Sequence, residues 1–209
     1  MDRNKIIKKF GDHYIVDDYS YIMGIDIRFA NHLALRFKNK IVLETCTGAG
    51  FTTISLARFA KHVYSVEIDG SRLEKAKQNS KIARLENKIT FINGDITAKK
   101  TLDLIPEINA AFIDPDWAVK GDYHTYRFLN SNTNPKSDRL LNLISKKTSN
   151  ITLIQPPYID KLEFKELPPH ECEYLILNNQ HELYGLHFGE LARIDGDTKF
   201  EITDNKKNK

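Results

Sequence analysis

Acidic residues follow a glycine-rich segment of this 209-residue chain at about the spacing of successive strands. The segment is Glu44-Thr45-Cys46-Thr47-Gly48-Ala49-Gly50, and the acidic residues after it are Glu67, Asp95 and Asp114. Glycines let the backbone approach a ligand closely, and the start of the following helix offers unpaired N–H groups. We therefore interpret the segment as a nucleotide-binding turn, and the acidic series indicates an enzyme that binds S-adenosylmethionine.

Each acidic residue has a predicted role at this site. Glu67 is placed to accept hydrogen bonds from two ribose hydroxyls, because a carboxylate accepts at both oxygens. Asp95 is predicted to accept from the adenine amino group or, alternatively, to cap the following short helix. Glu44 orients the turn or receives the cofactor's ammonium group, whereas Asp69 is predicted to start a helix. The predicted cofactor-binding residues are Glu44, Thr45, Gly48, Gly50, Glu67, Ile68, Asp95, Ile96 and Asp114.

A nicotinamide-binding Rossmann fold is the competing interpretation, since it also places an acidic residue about 20 positions after its glycines. Its third glycine is missing here, because Gly48-Ala49-Gly50-Phe51-Thr52-Thr53 ends in threonine. A dehydrogenase would also leave Asp114-Pro115-Asp116-Trp117 without a role. The sequence therefore favours S-adenosylmethionine over a nicotinamide dinucleotide.

Short apolar runs alternate with amphipathic stretches from Lys40 to Gln155, which predicts a mostly parallel sheet covered on both faces. The predicted strands are Ile41 to Glu44, His62 to Glu67, Ile89 to Asn93, Ala110 to Ile113 and Ile151 to Ile154. The predicted helices are Phe51 to Phe59, Ser71 to Arg84, Ala98 to Leu104 and Lys136 to Lys147.

A different pattern follows near the end of the chain. Glu173 to Leu177 and Leu183 to Leu191 flank Asn178 to His181, which predicts a hairpin and an antiparallel end of the sheet. The predicted fold class is thus α/β and Rossmann-like, with a mostly parallel seven-stranded sheet and a C-terminal antiparallel hairpin. This is the layout of class I methyltransferases.

Composition and length bound the organisation of the chain. Residues 1–37 are predicted to form an N-terminal appendage or lid, residues 38–204 the methyltransferase domain and residues 205–209 a basic tail. No apolar run approaches the roughly 20 residues that span a bilayer, so no membrane partner is expected. Cys46 and Cys172 make no disulfide framework, and we expect reduced thiols and a cytoplasmic setting. The histidines show no metal-ligand spacing, so no metal is expected.

Positive charge is concentrated in one helical stretch and in the tail, although the formal net charge is only +3. Such a surface suits a nucleic acid partner, and it is equally typical of a solvated helix face. The basic residues of the stretch are Arg72, Lys75, Lys77, Lys81, Arg84 and Lys88.

The segment Asp114-Pro115-Asp116-Trp117 resembles the motif of amino-group methyltransferases that act on nucleobases. The resemblance implies that the first side chain and the proline carbonyl accept hydrogen bonds from an exocyclic NH2 group, and that the aromatic ring stacks on the base. Two acceptors would then hold the amine with its lone pair towards the methyl group. The predicted catalytic residues are therefore Asp114, Pro115 and Trp117.

More specifically, the chain resembles the RNA cap guanine-N2 methyltransferases, the trimethylguanosine synthases, from about Ile15 to Leu191. In that family, the aromatic residue corresponding to Trp117 stacks on the methylated guanine. The resemblance is carried by Trp117 together with Val66-Glu67-Ile68-Asp69, Lys88-Ile89-Thr90-Phe91-Ile92-Asn93-Gly94-Asp95, Leu177-Asn178-Asn179 and Phe188-Gly189-Glu190-Leu191.

The chain departs from the family's motif, in which a second proline precedes the tryptophan and two glycines follow it. Asp116 replaces that proline, and Ala118-Val119 replace the glycines. Asp116 either pairs with a guanine N–H edge or stabilises the turn. The predicted substrate-binding residues are Trp117, Asp116, Tyr123, Arg127 and Gln155.

Other aromatic residues have two interpretations each. Tyr126 and Phe128 belong to a loop of interleaved aromatic and basic residues that suits base stacking and phosphate contacts, or they fasten that loop to the domain. Tyr19, Tyr21 and Met23 form a lid, as the family resemblance implies, or pack on the sheet edge.

The sequence therefore predicts an S-adenosylmethionine-dependent methyltransferase that acts on an exocyclic amine, with guanine N2 in RNA as the expected target and RNA or a nucleotide as the partner. Two alternatives remain open at this point. The substrate could be a small metabolite or a protein amine, or the chain could be a non-catalytic RNA-binding protein on a methyltransferase scaffold.

Overall fold

The apolar runs of the central segment form the parallel part of one eight-stranded sheet. The structure is a computed structural model and describes residues 2–117 and 126–204. Its strands lie in the order β3-β2-β1-β4-β5-β7-β6-β8. They are β1 (Ile41–Thr45), β2 (His62–Glu67), β3 (Ile89–Asn93), β4 (Ala110–Ile113), β5 (Ile151–Gln155), β6 (His170–Leu177), β7 (Gln180–Phe188) and β8 (Gly196–Ile202).

The helices of the described residues lie before and between these strands. They are α1 (Arg3–Phe10), α2 (Asp18–Met23), α3 (Ile27–Ala34), α4 (Phe51–Phe59), α5 (Gly70–Ile82), α6 (Lys99–Leu102) and α7 (Ser137–Ile144). Asp69 caps α5 by accepting hydrogen bonds from the backbone N–H groups of Ser71 and Arg72, as the sequence predicted for it. Short 3-10 helices occupy Leu35–Phe37, Glu86–Lys88, Lys161–Glu166 and Gly189–Leu191.

The register of the sheet brings the predicted site residues to one edge. β1 pairs in parallel with both β2 and β4, so that Thr45 lies between Val66 and Ile113. The carboxyl ends of the three strands therefore stop at the same level, and the segments that follow them emerge side by side. Ligands of open α/β sheets bind at this edge.

Successive residues of the strands face opposite sides of the sheet, and each side has its own apolar core. Val42 packs with Phe29 and Leu33 of α3 and with Leu56 of α4. Leu43 faces the other side, where its cluster includes residues of α7. Because both faces are covered, consecutive residues are buried along β1, β4 and β5 rather than alternating between buried and exposed. The predicted two-sided packing is confirmed.

The antiparallel end of the sheet is confirmed, but the predicted number of strands is one too small. β7 pairs antiparallel with both β5 and β6, and β8 then adds to β6 in parallel. β8 is an edge strand in which Asp197, Lys199 and Glu201 face solvent between less exposed neighbours. Its period-two alternation was present in the sequence, but its polar content resembles that of a surface loop.

A buried charge network ties the segment before β1 to β6. The Arg36 guanidinium donates to both carboxylate oxygens of Glu171, at 2.8 and 2.9 Å, and to Glu173 at 3.1 Å. These three side chains are at most 3% exposed. Burial alone would raise the pKa of Glu173, but its contacts with His187 and His32 and the charge of Arg36 outweigh burial and lower it.

Removal of the Arg36 guanidinium should therefore destabilise the fold. We expect Arg36→Met to lower the free energy of unfolding by about 3–5 kcal/mol, because it leaves Glu171 and Glu173 ionised and buried without a counter-charge. Urea unfolding followed by circular dichroism measures the change. Lys40→Met is the control: its ion pair with Glu190 is on the surface, so the loss should stay below about 1 kcal/mol. Similar small losses in both variants would contradict this account.

Candidate active site

The two glycines of the turn between β1 and α4 are required for different reasons. Both have positive φ, +57° at Gly48 and +84° at Gly50. A Cβ on Gly50 would lie 2.9 Å from the Cβ of Ala76, so this glycine allows α5 to pack against the start of α4. A Cβ on Gly48 would meet nothing within 4 Å. Gly48 therefore faces open space that a ligand can occupy, whereas Gly50 is a packing residue.

Glu67, at the end of β2, fixes the shape of this turn. Its buried carboxylate accepts a hydrogen bond from the Gly48 N–H at 2.8 Å and another from the Asp69 N–H at 3.0 Å. One carboxylate thus connects the glycine turn to the segment that starts α5. A carboxylate has about four acceptor positions, so these two bonds leave capacity for ribose hydroxyls.

Glu44 lies beneath the turn and has polar partners of its own. Its Oε2 accepts hydrogen bonds from Ser65 at 2.6 Å and from Thr53 of α4 at 2.5 Å. Burial raises the pKa of Glu44 to about 8, against the effect of these two bonds. The contacts correspond to the orienting role in the prediction, because they join β1, β2 and α4 under the glycine turn.

The loops after β2 and β3 supply a second wall. Ile68 is 69% exposed there, and the buried Ile96 also lines the cavity. Asp95 Oδ1 accepts from the Thr97 N–H and hydroxyl at 2.8 and 2.7 Å, which is the local capping contact predicted as its alternative role. Its Oδ2 has no such contact among the described residues.

The segment after β4 places the predicted catalytic residues at the same cavity. Burial raises the pKa of Asp114 to about 7, although a hydrogen bond from the Trp117 side chain opposes that effect. The Trp117 ring packs against both apolar cores and meets the Tyr126 ring edge-on at 6.0 Å. Tyr126 also donates its hydroxyl to the Trp117 carbonyl. Tyr126 and the buried Phe128 therefore fasten the loop to the domain, one of their two predicted roles.

Asp116 is held by side chains from two helices, α2 and α5. It accepts a hydrogen bond from the Tyr19 hydroxyl of α2 and lies 3.7 Å from the Arg72 guanidinium of α5. Arg72 also stacks over the Tyr19 ring at 4.3 Å. We call these three residues the latch. Its contacts favour the structural role predicted for Asp116 over a contact with the base.

A cavity of about 620 Å³ unites these groups at the carboxyl edge of the sheet. Tyr19 and Met23 of the predicted lid line it, whereas Tyr21 packs on Phe10. Thr45 is buried beneath the turn and Gly50 against α5, so neither lines the cavity. The predicted site residues that do line it are Glu44, Gly48, Glu67, Ile68, Asp95, Ile96, Asp114, Pro115, Asp116 and Trp117.

The remaining predicted substrate-binding residues lie elsewhere. Arg127 pairs with Glu163, with Nη2 at 2.6 Å from the carboxylate, and is not part of the cavity lining. Gln155 is fully buried and donates to Ser137 Oγ at 3.0 Å, so its side chain holds the start of α7 rather than a base edge. Gln155 was predicted from its position at the end of a strand, and Arg127 from a loop of interleaved aromatic and basic residues. Their hydrogen-bond partners, Ser137 and Glu163, hold both side chains away from the cavity. Tyr123, Ala118-Val119 and the basic tail 205–209 lie outside the described residues.

Several cavity residues were not predicted as part of the site. Arg72 was noted only as part of a basic helix, in which Lys75 pairs with Asp17 and Lys77 with Glu74. Asn134, Lys136 and Arg139 reach the cavity because residues 134–136 fold back beside the transfer segment, where the backbones of Asp116 and Asn134 exchange hydrogen bonds of 2.9 and 2.7 Å. No periodic pattern of apolar and polar residues in the sequence predicts that long-range contact.

The described residues contain neither a cluster of metal ligands nor a membrane-spanning helix. Within residues 2–117 and 126–204, no three acidic, cysteine or histidine side chains converge in a way that could hold a metal ion. Over the same residues, no helix combines the length and apolar character that crossing a bilayer requires.

The strand order, the antiparallel β7 and the cavity over the glycine turn define the architecture of class I methyltransferases. A profile of the family described as RNA cap guanine-N2 methyltransferase matches residues 39–167. The chain belongs to this family. The family and the fold class that the sequence predicted are therefore confirmed.

Curated relatives match a shorter segment of the chain than the family profile does. The chain is 38% identical over 78 residues to an uncharacterized RNA methyltransferase of Staphylococcus aureus strain COL, which is 37% of this chain and 16% of that protein. It is 36% identical over 69 residues to the ribosomal protein L11 methyltransferase of Carboxydothermus hydrogenoformans, 32% of this chain and 23% of that protein. The matched segment thus spans less than a quarter of either relative.

Solved structures share the fold at low sequence identity. A candidate methyltransferase from Porphyromonas gingivalis W83 superposes with a TM-score of 0.72 at 16% identity, covering 89% of this chain and 47% of that one. The RNA methyltransferase from Salinibacter ruber, in complex with S-adenosyl-L-homocysteine, gives a TM-score of 0.51 at 17% identity, covering 78% and 90%. At these identities the likeness establishes the fold.

The contacts of Glu67 lead to a prediction about ligand binding. We expect Glu67→Gln to weaken S-adenosylmethionine binding at least tenfold, because the amide keeps only one acceptor oxygen for the N–H groups of Gly48 and Asp69, and a bond to a charged group contributes about 1.5–3 kcal/mol. Isothermal titration calorimetry measures the affinity. Glu74→Gln, on the exposed face of α5, should bind as the unaltered protein does. Equal affinities in both variants would rule out the assigned role of Glu67.

Proposed function

We propose that this protein transfers a methyl group from S-adenosylmethionine to an exocyclic amine, the N2 group of guanine in RNA. The observation that carries the proposal is the position of Asp114, Pro115 and Trp117. They line the same cavity as Gly48 and Glu67, one strand away from the glycine turn. The base-binding motif and the cofactor-binding turn thus share one cavity, as transfer between two bound ligands requires.

The residues of the cavity fit the cofactor. The open side of Gly48 leaves room for close approach to the backbone, and Glu67 retains acceptor capacity for a ribose. Ile68 and Ile96 offer apolar surface for an adenine ring, with Asp95 beside them. When bound, S-adenosylmethionine supplies a methyl group on a positively charged sulfur.

The transfer residues would position the amine. The Asp114 carboxylate and the Pro115 carbonyl are both acceptors, and two acceptors fix the direction of an NH2 group and thereby of its lone pair. Trp117 would stack on the base, which restricts it to the plane in which those acceptors lie. Its hydrogen bond to Asp114 links the stacking residue to the acceptor. Orientation of this kind is a large part of what an enzyme contributes to a bimolecular transfer.

RNA is the proposed substrate because of the family and of the relatives. The family description names an RNA cap guanine, and the Staphylococcus aureus relative is described as an RNA methyltransferase. The position of Asp116 supports activity despite the altered motif. Since Tyr19 and Arg72 hold its carboxylate, Asp116 takes the place of the family's proline as part of the latch.

Transfer of labelled methyl groups tests the proposal. We expect label from S-adenosylmethionine on a 7-methylguanosine-capped dinucleotide or on guanine N2 of bulk unmodified RNA, located by nuclease digestion and chromatography. Label on the cap would define a cap substrate, and label on bulk RNA an internal guanine. Absence of label from both RNAs, with small amines labelled or with cofactor bound but never consumed, would overturn the proposal.

The stacking role of Trp117 is tested in the same assay. Trp117→Ala should raise KM for RNA about 5- to 100-fold with cofactor affinity nearly intact, and Trp117→Phe should restore most of the affinity for RNA.

The ionisation of Asp114 predicts a pH dependence. An isolated aspartate has a pKa near 4, and burial raises that of Asp114 to about 7, so the group changes from protonated to ionised around neutral pH. Because the ionised form is the better acceptor, kcat/KM for RNA should rise with pH through about 7 and then level off. Initial rates across that range measure it. Glu44, with its pKa of about 8, is the competing source of an inflection. Asp114→Asn should lower the rate and abolish the step, whereas a step that survives would assign it to another group.

A further inference from the structure

We propose that Lys136 and Arg139 form a phosphate-binding wall of the cavity and hold the backbone of the substrate beside the base that is methylated. The inference rests on the proposed function, since it assumes a nucleotide substrate. It assigns a ligand contact to the segment around α7.

The first argument is the geometry of α7. Lys136, Arg139 and Leu143 are spaced at i, i+3 and i+7, so they share one face of the helix, and all three line the cavity. Leu140 and Ile144 lie on the adjacent face of the helix, where they are fully buried and pack into the core. The cavity-facing side chains are thus carried by a helix that the core holds in place.

The second argument concerns the start of α7, which is fixed by buried polar contacts. The Ser137 N–H donates to Thr133 Oγ1 at 2.9 Å, and Ser137 Oγ accepts from Gln155 of β5 at 3.0 Å. Thr133, Ser137 and Gln155 are at most 5% exposed. The position of Lys136, which immediately precedes the helix, is therefore determined by the sheet rather than by a free loop.

The third argument places this wall on the transfer side. Asn134 exchanges two backbone hydrogen bonds with Asp116, which stands between the predicted catalytic residues Pro115 and Trp117. Lys136 follows two residues later. The elements proposed for the cofactor are instead the glycine turn and the ends of β2 and β3.

The fourth argument is charge. The other cation of the cavity, Arg72, is already matched by Asp116. Lys136 and Arg139 are exposed, and in residues 2–117 and 126–204 no carboxylate lies within ion-pairing distance of either. Lys136 and Arg139 thus line the cavity without an ion-pair partner among these residues, and they suit an anion brought by the ligand. In an RNA substrate that anion is a phosphate of the backbone, which fixes register without reading sequence.

The test compares RNA binding and methyl transfer in matched double variants. Lys136→Gln with Arg139→Gln removes the two cations, and Lys81→Gln with Lys146→Gln removes two exposed lysines outside the cavity. Fluorescence anisotropy with a labelled single-stranded RNA, without cofactor, gives Kd and its dependence on salt. Cofactor affinity is measured separately by calorimetry.

We expect the α7 variant to raise Kd and KM for RNA about tenfold, with kcat and cofactor affinity within about twofold of the unaltered protein. Its log–log salt slope should be shallower by about 1.4, since each phosphate contact on a single strand contributes about 0.7. The control variant should change neither quantity.

Three outcomes would overturn the inference: an unchanged salt slope in the α7 variant, equal losses in both double variants, or a parallel loss of cofactor affinity. The first would leave the cations without a contact, the second would mean general electrostatic attraction, and the third would assign them to the cofactor. Failure of the proposed function looks different. In that case no RNA is methylated by the unaltered protein, while the effect of α7 on RNA binding is still present.

Discussion

The Glu67 carboxylate is the contact on which the site depends. It joins the turn after β1 to the segment after β2, which are adjacent because the strands run in parallel register. A positive-φ glycine has many accessible conformations, and without a fixed acceptor for its N–H the turn would lose its shape. The rest of the cavity is built outward from that point, with Glu44 below the turn and the transfer segment on the neighbouring strand.

Charge is distributed unequally around the cavity. Glu44, Glu67, Asp95, Asp114 and Asp116 all line it. Burial, with a smaller contribution from the neighbouring carboxylates, raises the pKa of Glu44 to about 8 and that of Asp114 to about 7. The cavity therefore favours a cationic ligand electrostatically. It also favours cationic side chains that separate the carboxylates from an anionic substrate. Arg72 and the two cations of α7 stand on the walls where that separation is needed.

The central fold was predictable because its signals are local. The boundaries of β2, β3, β4 and α4 agree with the apolar runs of the sequence, and the glycine turn marks the edge where ligands bind. The edge strand β8 was missed because half-exposed strands carry many polar residues and resemble loops.

The site was predictable to the same extent. Glu67 ends β2 and Asp114 follows β4, and both line the cavity because the parallel register brings those strand ends together. Gln155 and Arg127 were misplaced because a buried or paired partner, Ser137 or Glu163, decides where a side chain points. Tyr19 and Asp116 are 97 positions apart, and a contact over that separation follows from tertiary packing rather than from spacing.

The latch has a consequence for how each ligand affects the binding of the other. Through Tyr19 and Asp116 it joins the helix over one half of the cavity to the segment that holds the other half. A ligand that loosens this contact from either side alters the free energy available to the second. Such coupling is reciprocal: whatever factor the cofactor imposes on RNA affinity, RNA imposes on cofactor affinity. The protein would then behave as a heterotropic system within a single domain, with cooperativity between its two ligands set by one hydroxyl and one carboxylate.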